Sequence, residues 1–209
     1  MAILDLDALA RAPLNRDPCD FIVVPRFVKS EALPEVNRDY PEITEPGNFP
    51  PEGLRCGGSF AAMLQELASP ELRRAFGDKF GMALDDLVLQ TTVRKFSELS
   101  DGNVHNDSRL KVVTALIYFN ETWSHPGGRL RIVRSPNNID DYAAEVVPEQ
   151  GTLLAFRRSE RSYHGFVPCE GERRSLQMYW VKPKRQGRDE ESRGGLKRRI
   201  KRWLKQRRR

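Results

Sequence analysis

The chain has 209 residues and a formal net charge of +6, with three cysteines and three histidines. This length suits one sizeable hydrophobic core, and three cysteines without a C-x-x-C pair indicate neither a disulfide framework nor a zinc site. No apolar run approaches the roughly 18 to 20 residues that cross a bilayer, and the N-terminus lacks a cationic and then apolar secretion signal, so we expect a cytoplasmic protein.

The charge is distributed unevenly along the chain. Residues 182–209 hold 14 basic and three acidic residues, a net charge of +11, which leaves −5 for residues 1–181. The basic character therefore gives no reason to expect nucleic-acid binding by the first part. We predict one folded domain at residues 1–181 and a basic linker with an amphipathic tail at residues 182–209.

The N-terminal part predicts a strand and a helix. Residues 19–28 are mostly apolar and indicate a short buried strand that Pro25 interrupts. Ser30 is then the predicted N-cap of a helix that tolerates Pro34 near its start. Prolines and glycines predict an irregular loop at residues 40–58.

Residues 60–80 are predicted to be helical. Apolar residues recur at helical spacing from Phe60 to Leu67, Ser69 and Pro70 restart a second helix, and Gly81 ends or interrupts it. Helices of this kind would cover one sheet of a β-rich domain.

Short strand signals then follow one another up to residue 181. They lie at residues 87–96, 111–120, 129–134, 145–148, 151–156 and 173–181. Residues 135–144 are polar and are predicted to connect two of these strands. A helical first third followed by many short strands predicts a mainly β protein with flanking helices, in the form of a jelly roll (double-stranded β-helix, cupin-like).

Two of the three histidines lie at the two ends of this strand-rich segment. His105 and Asp107 are two positions apart, so on an extended segment both side chains point to the same side while Asn106 faces away. His164 follows 59 positions after His105. Two imidazoles and one carboxylate form the facial triad that binds Fe(II) and leaves coordination positions open. His125, in a turn, is interpreted as a solvated residue and not as a fourth ligand.

The sequence resembles the iron(II)- and 2-oxoglutarate-dependent oxygenases of the prolyl 4-hydroxylase type, well over residues 89–181 and loosely over residues 20–45. The resemblance rests on His105-Asn106-Asp107, Thr114 to Asn120 with Trp123, Gly127 to Ile132, Pro148, Gly151, Phe156, His164, Arg173 and Ser175. It implies that His105, Asp107 and His164 bind iron. It also implies that one arginine of the Arg173-Arg174 pair binds the cosubstrate, 2-oxoglutarate.

Alternation along the last strand favours one of the two arginines. Arg173, Ser175, Gln177 and Tyr179 share a polar face, whereas Arg174 shares the opposite face with apolar residues. Arg173 is therefore the preferred cosubstrate residue and Arg174 the alternative, because a guanidinium can bind a carboxylate through two parallel hydrogen bonds. Ser175 and Gln177 are candidates on the same face, and Tyr118 matches the cosubstrate-binding tyrosine of the family.

The resemblance implies a hydroxylase that uses Fe(II), 2-oxoglutarate and O2 and converts 2-oxoglutarate to succinate. The substrate, a protein side chain such as proline or a small molecule, is not named by any residue. A nucleic-acid demethylase of the same fold is disfavoured, because its second arginine, six positions after the first, is replaced here by Tyr179 or Trp180. Another alternative is a catalytically degenerate metal-binding jelly roll that its basic tail tethers to an anionic surface.

The tail carries its own pattern. Leu196, Ile200, Trp203 and Leu204 recur at helical spacing among basic residues. Residues 196–209 are therefore predicted to form a helix on an anionic membrane surface, with nucleic acid less favoured as the partner, or else a disordered basic tail.

We predict that the tail is needed for location and not for catalysis. Each basic residue near an anionic membrane contributes about 1 kcal/mol of binding. Protein lacking residues 182–209 should keep 2-oxoglutarate turnover but should no longer sediment with anionic vesicles, as full-length protein should. Loss of turnover on truncation would place the tail in the catalytic fold, and full-length protein that ignores anionic vesicles would exclude membrane binding.

Overall fold

The computed structural model describes residues 2–183, so the predicted tail lies almost wholly outside the described residues. The helices are α1 (Leu6–Arg11), α2 (Leu33–Arg38), α3 (Gly58–Leu67) and α4 (Pro70–Phe80), with a 3-10 helix at Pro51–Gly53. The strands are β1 (Phe21–Val24), β2 (Val88–Ser97), β3 (Lys111–Tyr118), β4 (Leu130–Ser135), β5 (Asn138–Val146), β6 (Leu153–Arg157), β7 (His164–Gly165) and β8 (Gly171–Val181). No helix in this part of the chain is long and apolar enough to cross a membrane.

The strands form two sheets that face each other. A five-stranded sheet has the order β1-β6-β3-β8-β2 and a three-stranded sheet has the order β5-β4-β7, with antiparallel neighbours throughout. An antiparallel bridge from His105 to His164 extends the smaller sheet beyond β7. This architecture is the predicted double-stranded β-helix with flanking helices.

Two hydrophobic cores lie on the two faces of the five-stranded sheet. Ala115, Ile117 and Phe119 belong to the core that the helices cover, whereas Leu116 and Tyr118 belong to the core between the sheets. The alternation predicted for this strand is therefore confirmed. Val112 is an exception and packs toward the helices, because the register of β3 against β8 shifts between Lys111 and Val113.

The two central helices form as their sequence predicts. The Ser69 hydroxyl caps α4 by accepting a hydrogen bond from the Leu72 amide at 3.2 Å, and Gly81 ends the helix in the left-handed conformation with φ of 62°. Phe76 of α4 packs on Trp180 of β8 with ring centres 4.6 Å apart. The helices thus seal the outer face of the sheet that carries much of the site.

The predicted cap at Ser30 is wrong. The N-cap residue of α2 is Ala32, which has no side-chain capping bond, and Pro34 lies in the first turn as expected. Proline suits that position because its fixed φ and missing N–H match the start of a helix. The proline therefore sets the start of the helix two residues later than a serine cap would.

Two elements differ from the sequence prediction. The polar connector predicted at residues 135–144 is wrong, because β5 begins at Asn138 and pairs with β4. Exposed residues alternate with half-buried ones in its first part, as expected for an edge strand with one face in solvent. Helix α1 was not predicted, although the Asp5 carboxylate caps it by accepting a bond from the Ala8 amide at 2.8 Å.

Candidate functional site

The bridge between His105 and His164 brings two distant parts of the chain together. The His105 amide donates to the His164 carbonyl, and the His164 amide donates to the His105 carbonyl, each at 3.0 Å. Gly165 permits this approach, because a Cβ atom at that position would lie 2.7 Å from the carbonyl oxygen of Gly102. The two histidines predicted as ligands are therefore backbone neighbours.

Each imidazole is oriented by a backbone carbonyl. Nδ1 of His105 lies 2.9 Å from the Asn103 carbonyl oxygen, and Nδ1 of His164 lies 3.0 Å from the Ser162 carbonyl oxygen. A carbonyl only accepts hydrogen bonds, so Nδ1 carries the proton and Nε2 keeps its lone pair. The backbone thus selects the tautomer in which both rings can bind a metal through Nε2.

Asp107 is held as a buried carboxylate. Lys111 Nζ lies 2.5 Å from Oδ1, and the Thr114 hydroxyl donates to Oδ2 at 2.5 Å. Burial opposes ionisation, but the Lys111 ammonium, the nearby His164 and these hydrogen bonds hold the pKa of Asp107 below its usual value. The third predicted ligand is therefore available in its charged form.

The three side chains form one cluster. Ligand atoms of His105, Asp107 and His164 all lie within 4.8 Å of one another, and no other group of this kind occurs among residues 2–183. The cluster opens into a cavity of about 390 Å³ whose lining also includes Arg173, Gln177 and other polar residues. The separation is small enough for a single cation to be shared.

Arg173 reaches this cavity from β8 and is almost completely buried, with 1% of its surface exposed. Its Nε donates to the Gly128 carbonyl at 2.7 Å, and its guanidinium carbon lies 4.3 Å from the centre of the Phe166 ring. Arg173 Nη2 has no hydrogen-bond partner. A buried cationic donor without a partner is suited to an anionic ligand, because it would otherwise be left without the hydrogen bonds it had in water.

Two buried hydroxyls without partners lie close to Arg173. They belong to Tyr118 and Ser175, which are register partners across β3 and β8. The Tyr118 ring centre lies 5.2 Å from the guanidinium carbon of Arg173. Burial raises the pKa of Tyr118 although the nearby Arg173 charge opposes this, so its hydroxyl stays protonated and can donate a hydrogen bond.

Arg174 lies on the other side of β8. Its Nε donates to Glu172, its guanidinium carbon lies 5.5 Å from the Tyr40 ring centre, and it does not line the cavity of the cluster. Gln177, on the same face as Arg173, lines the cavity and accepts a hydrogen bond from the Tyr179 hydroxyl. Arg173, and not Arg174, therefore shares a cavity with the cluster of His105, Asp107 and His164.

Residues 92–182 match the family model of the 2OG-Fe(II) oxygenase superfamily, and this segment contains all three clustered side chains and Arg173. This segment is a 2OG-Fe(II) oxygenase domain. No curated protein sequence matches it.

Solved structures show the same fold. A prolyl-4-hydroxylase from Pseudomonas putida is 22% identical, with coverage of 88% of this chain and 92% of that chain and a TM-score of 0.54. A prolyl hydroxylase from Trichoplax adhaerens, in complex with a hypoxia inducible factor peptide, is 13% identical, with coverage of 85% and 89% and a TM-score of 0.54. The viral collagen prolyl hydroxylase of Paramecium bursaria Chlorella virus-1, in its 2OG complex, is 12% identical, with coverage of 78% and 96% and a TM-score of 0.51.

Oxygenases of this superfamily use Fe(II), 2-oxoglutarate and O2, and the residues of this oxygenase fit those groups. Two imidazoles with free Nε2 atoms and one carboxylate are the donor set of a mononuclear iron site that keeps open positions. The unpartnered Nη2 of Arg173 and the unpartnered hydroxyls of Tyr118 and Ser175 suit a carboxylate.

Several residues at the oxygenase site were missed by the sequence prediction. Lys111 forms an ion pair with Asp107, and its Nζ lies 3.7 Å from the Tyr179 ring centre. Arg94 Nη2 forms a buried ion pair with Asp101 at 2.7 Å in the cavity wall. The sequence held one signal for Lys111, which is a cation four positions after an expected ligand. His125, by contrast, is exposed and lies outside the cluster.

The metal-free oxygenase should lose stability in mild acid through His164. Burial, with a contribution from neighbouring His105, lowers the pKa of His164 from 6.5 to about 4. Between these pH values the unfolded chain binds a proton that the folded chain does not, so the free energy of unfolding should fall as the pH drops. One proton contributes up to about 1.4 kcal/mol per pH unit.

Denaturant titrations of metal-free protein at several pH values across this window would measure the effect. His164→Gln should flatten the pH dependence, whereas His125→Gln, which alters an exposed histidine, should follow the wild type. Equal pH dependence in the wild type and His164→Gln would show that His164 is not held neutral by the fold.

Proposed function

We propose that this oxygenase is an Fe(II)- and 2-oxoglutarate-dependent hydroxylase in which His105, Asp107 and His164 bind the iron. In this proposal Arg173 binds the distal carboxylate of 2-oxoglutarate, with Tyr118 and Ser175 as further donors. The observation that carries the proposal is the buried Arg173 guanidinium with an unpartnered Nη2 in the same cavity as the triad. Without an anion this arrangement is costly, and with one it gives a strong charge-assisted bond.

Bound iron would supply the oxidative chemistry, in which O2 gives one oxygen atom to 2-oxoglutarate, forming succinate and CO2, and the other to the substrate as a hydroxyl group. The side chains of this protein hold and orient the reactants. The carbonyls of Asn103 and Ser162 fix the two imidazoles, and Thr114 fixes the carboxylate of Asp107. The side chains of His164 and Arg173 are only 5% and 1% exposed, so the protein shields both from bulk solvent.

The size of the cavity bears on the class of substrate. Its volume of about 390 Å³ is near the lower end of the roughly 300 to 1,000 Å³ typical of ligand pockets, and 2-oxoglutarate would take part of it. The remaining space suits one side chain or a small molecule. We therefore propose hydroxylation of a protein side chain, such as proline, or of a small molecule.

The direct test is turnover with a panel of proline-containing peptides and small molecules. Full-length protein with Fe(II) and 2-oxoglutarate should form succinate faster with one class of substrate, and that substrate should gain one oxygen atom by mass spectrometry. Protein that binds both iron and 2-oxoglutarate but stimulates succinate formation with no member of the panel would count against these two substrate classes.

One observation favours the alternative of a degenerate jelly roll. Lys111 Nζ lies 2.5 Å from Asp107, so an ammonium group already neutralises the carboxylate. In a degenerate module this ion pair would replace a metal, and residues 196–209, outside the described residues, would supply the tether. Failure of the purified protein to bind Fe(II) under anaerobic conditions would support this alternative over a hydroxylase.

We predict that iron binding requires the three proposed ligands. His164→Ala removes one of three protein ligands, so the affinity for Fe(II) should fall by more than the roughly 10- to 100-fold that loss of an outer-shell partner costs. Anaerobic titration with Fe(II) measures this. His125→Ala is the matched control and should bind as the wild type does, and wild-type affinity in His164→Ala would disprove the ligand assignment.

We predict that Arg173→Ala weakens 2-oxoglutarate binding and spares the metal. Truncating one partner of a buried charge pair costs at least about 2 kcal/mol, or roughly 30-fold in affinity. Arg174→Ala is the control, because its side chain lies outside the cavity. Calorimetric titration of 2-oxoglutarate into the metal-loaded variants compares them, and a larger loss in Arg174→Ala would reverse the assignment.

A further inference from the structure

Asn106 stands between two proposed iron ligands but points away from the cavity they share. Its Nδ2 donates to the Ser159 carbonyl at 2.7 Å, and its Oδ1 accepts from the Ser162 hydroxyl at 2.8 Å. Both serines lie in the segment between β6 and β7, which leads directly into His164. One amide side chain therefore joins the segment of His105 and Asp107 to the segment that carries the third ligand.

Ser162 connects this side chain to the imidazole. It is completely buried, and its hydroxyl also accepts a hydrogen bond from the Ser159 amide at 2.9 Å. The hydroxyl proton is shared between Asn106 Oδ1 and the Ser159 carbonyl oxygen, which lie 2.8 and 2.9 Å away. Its carbonyl accepts the bond from Nδ1 of His164 at 3.0 Å. A displacement of Ser162 would therefore move the group that fixes the tautomer and the angle of the His164 ring.

The remaining connections between the two segments are few. Among the described residues they include the backbone bridge between His105 and His164 and a bond of 2.8 Å from the Phe166 amide to the Gly102 carbonyl. An exposed ion pair of Arg109 with Glu160 at 3.7 Å and a bond of 3.3 Å from Arg158 Nε to the Asp107 carbonyl add to them. None of these contacts reaches Ser162, the residue whose carbonyl accepts the bond from His164 Nδ1. The bond between Asn106 and Ser162 joins the two segments at that residue.

We propose that Asn106 and Ser162 are positioning residues that set the relative placement of the iron ligands, and we name this pair the Asn106–Ser162 latch. The inference rests on the proposed iron site. Metal and catalytic groups must be held to within about 0.5 Å by their supporting contacts, and loss of an outer-shell partner weakens metal affinity about 10- to 100-fold. Breaking the latch should therefore weaken metal binding although all three ligand side chains are unchanged.

Anaerobic titration of metal-free, full-length protein with Co(II), an oxygen-stable probe of the iron site, tests the latch. Asn106→Ala and Ser162→Ala should each weaken Co(II) binding about 10- to 100-fold and should change the ligand-field absorption of the bound ion. The double variant should bind no more weakly than the weaker single variant, because both substitutions break one connected set of bonds.

The matched control is Ser159→Ala. The Ser159 hydroxyl accepts a bond only from the Arg161 amide, and Ser159 takes part in the latch through its backbone. The Ser159→Ala variant should therefore bind Co(II) with the affinity of the wild type. Thermal unfolding of every metal-free variant shows whether a variant is folded before its affinity for Co(II) is compared. If Asn106→Ala does not fold, the test rests on Ser162→Ala, which removes only one oxygen atom.

The outcomes separate the latch from the iron site. Wild-type Co(II) affinity and absorption in both single variants, together with lost binding in His164→Ala, would overturn the latch and leave the iron site intact. Variants with lower metal-free stability but unchanged affinity would overturn it too, because the residues would then only support the loop. A wild-type protein that binds no Co(II) would remove both the proposed iron site and the latch.

Discussion

Two backbone hydrogen bonds between His105 and His164 hold together the parts of the chain on which the site depends. The histidines are 59 positions apart, and closing so long a loop costs conformational entropy that local contacts cannot offset. The offset comes from the two cores on either side of the five-stranded sheet, which fix β3, β6 and β8 and thereby the smaller sheet packed over them. The geometry of the site therefore depends on the packing of both sheets.

Charge is distributed within the cavity so that most ionised groups have a partner. Arg94 pairs with Asp101 and Lys111 with Asp107, at 2.7 and 2.5 Å. Arg173 is the exception, since its neighbours are the Gly128 carbonyl and aromatic rings. Because buried charges are costly without partners, this single imbalance defines where an anion is expected. The proposed cation site and the proposed anion site thus share one cavity, as a metal with a chelating dicarboxylate would require.

Much of this arrangement could be predicted from the sequence, because it depends on periodicity. Alternation along β8 puts Arg173 and Arg174 on opposite faces of the sheet, with Arg173 in the cavity. Alternation along β3 puts Thr114 and Tyr118 on the face opposite the core that the helices cover. The latch and the contacts of Lys111 could not be predicted, since they join side chains whose proximity only the tertiary structure creates. The start of α2 was misplaced because the serine signal and the proline signal conflict, and the proline determines the start. The edge strand β5 was missed because solvent exposure removes the apolar pattern that marks buried strands.

We propose that iron and 2-oxoglutarate occupy one cavity between the triad and Arg173. Anaerobic titration of 2-oxoglutarate into the Fe(II)-loaded, full-length protein tests it most directly, because chelation of ferrous iron by a 2-oxoacid gives a visible metal-to-ligand charge-transfer band. If iron and 2-oxoglutarate share this cavity, the band should appear and saturate at one equivalent of 2-oxoglutarate. Iron-loaded protein that develops no such band, even with excess 2-oxoglutarate, would show that they do not share it.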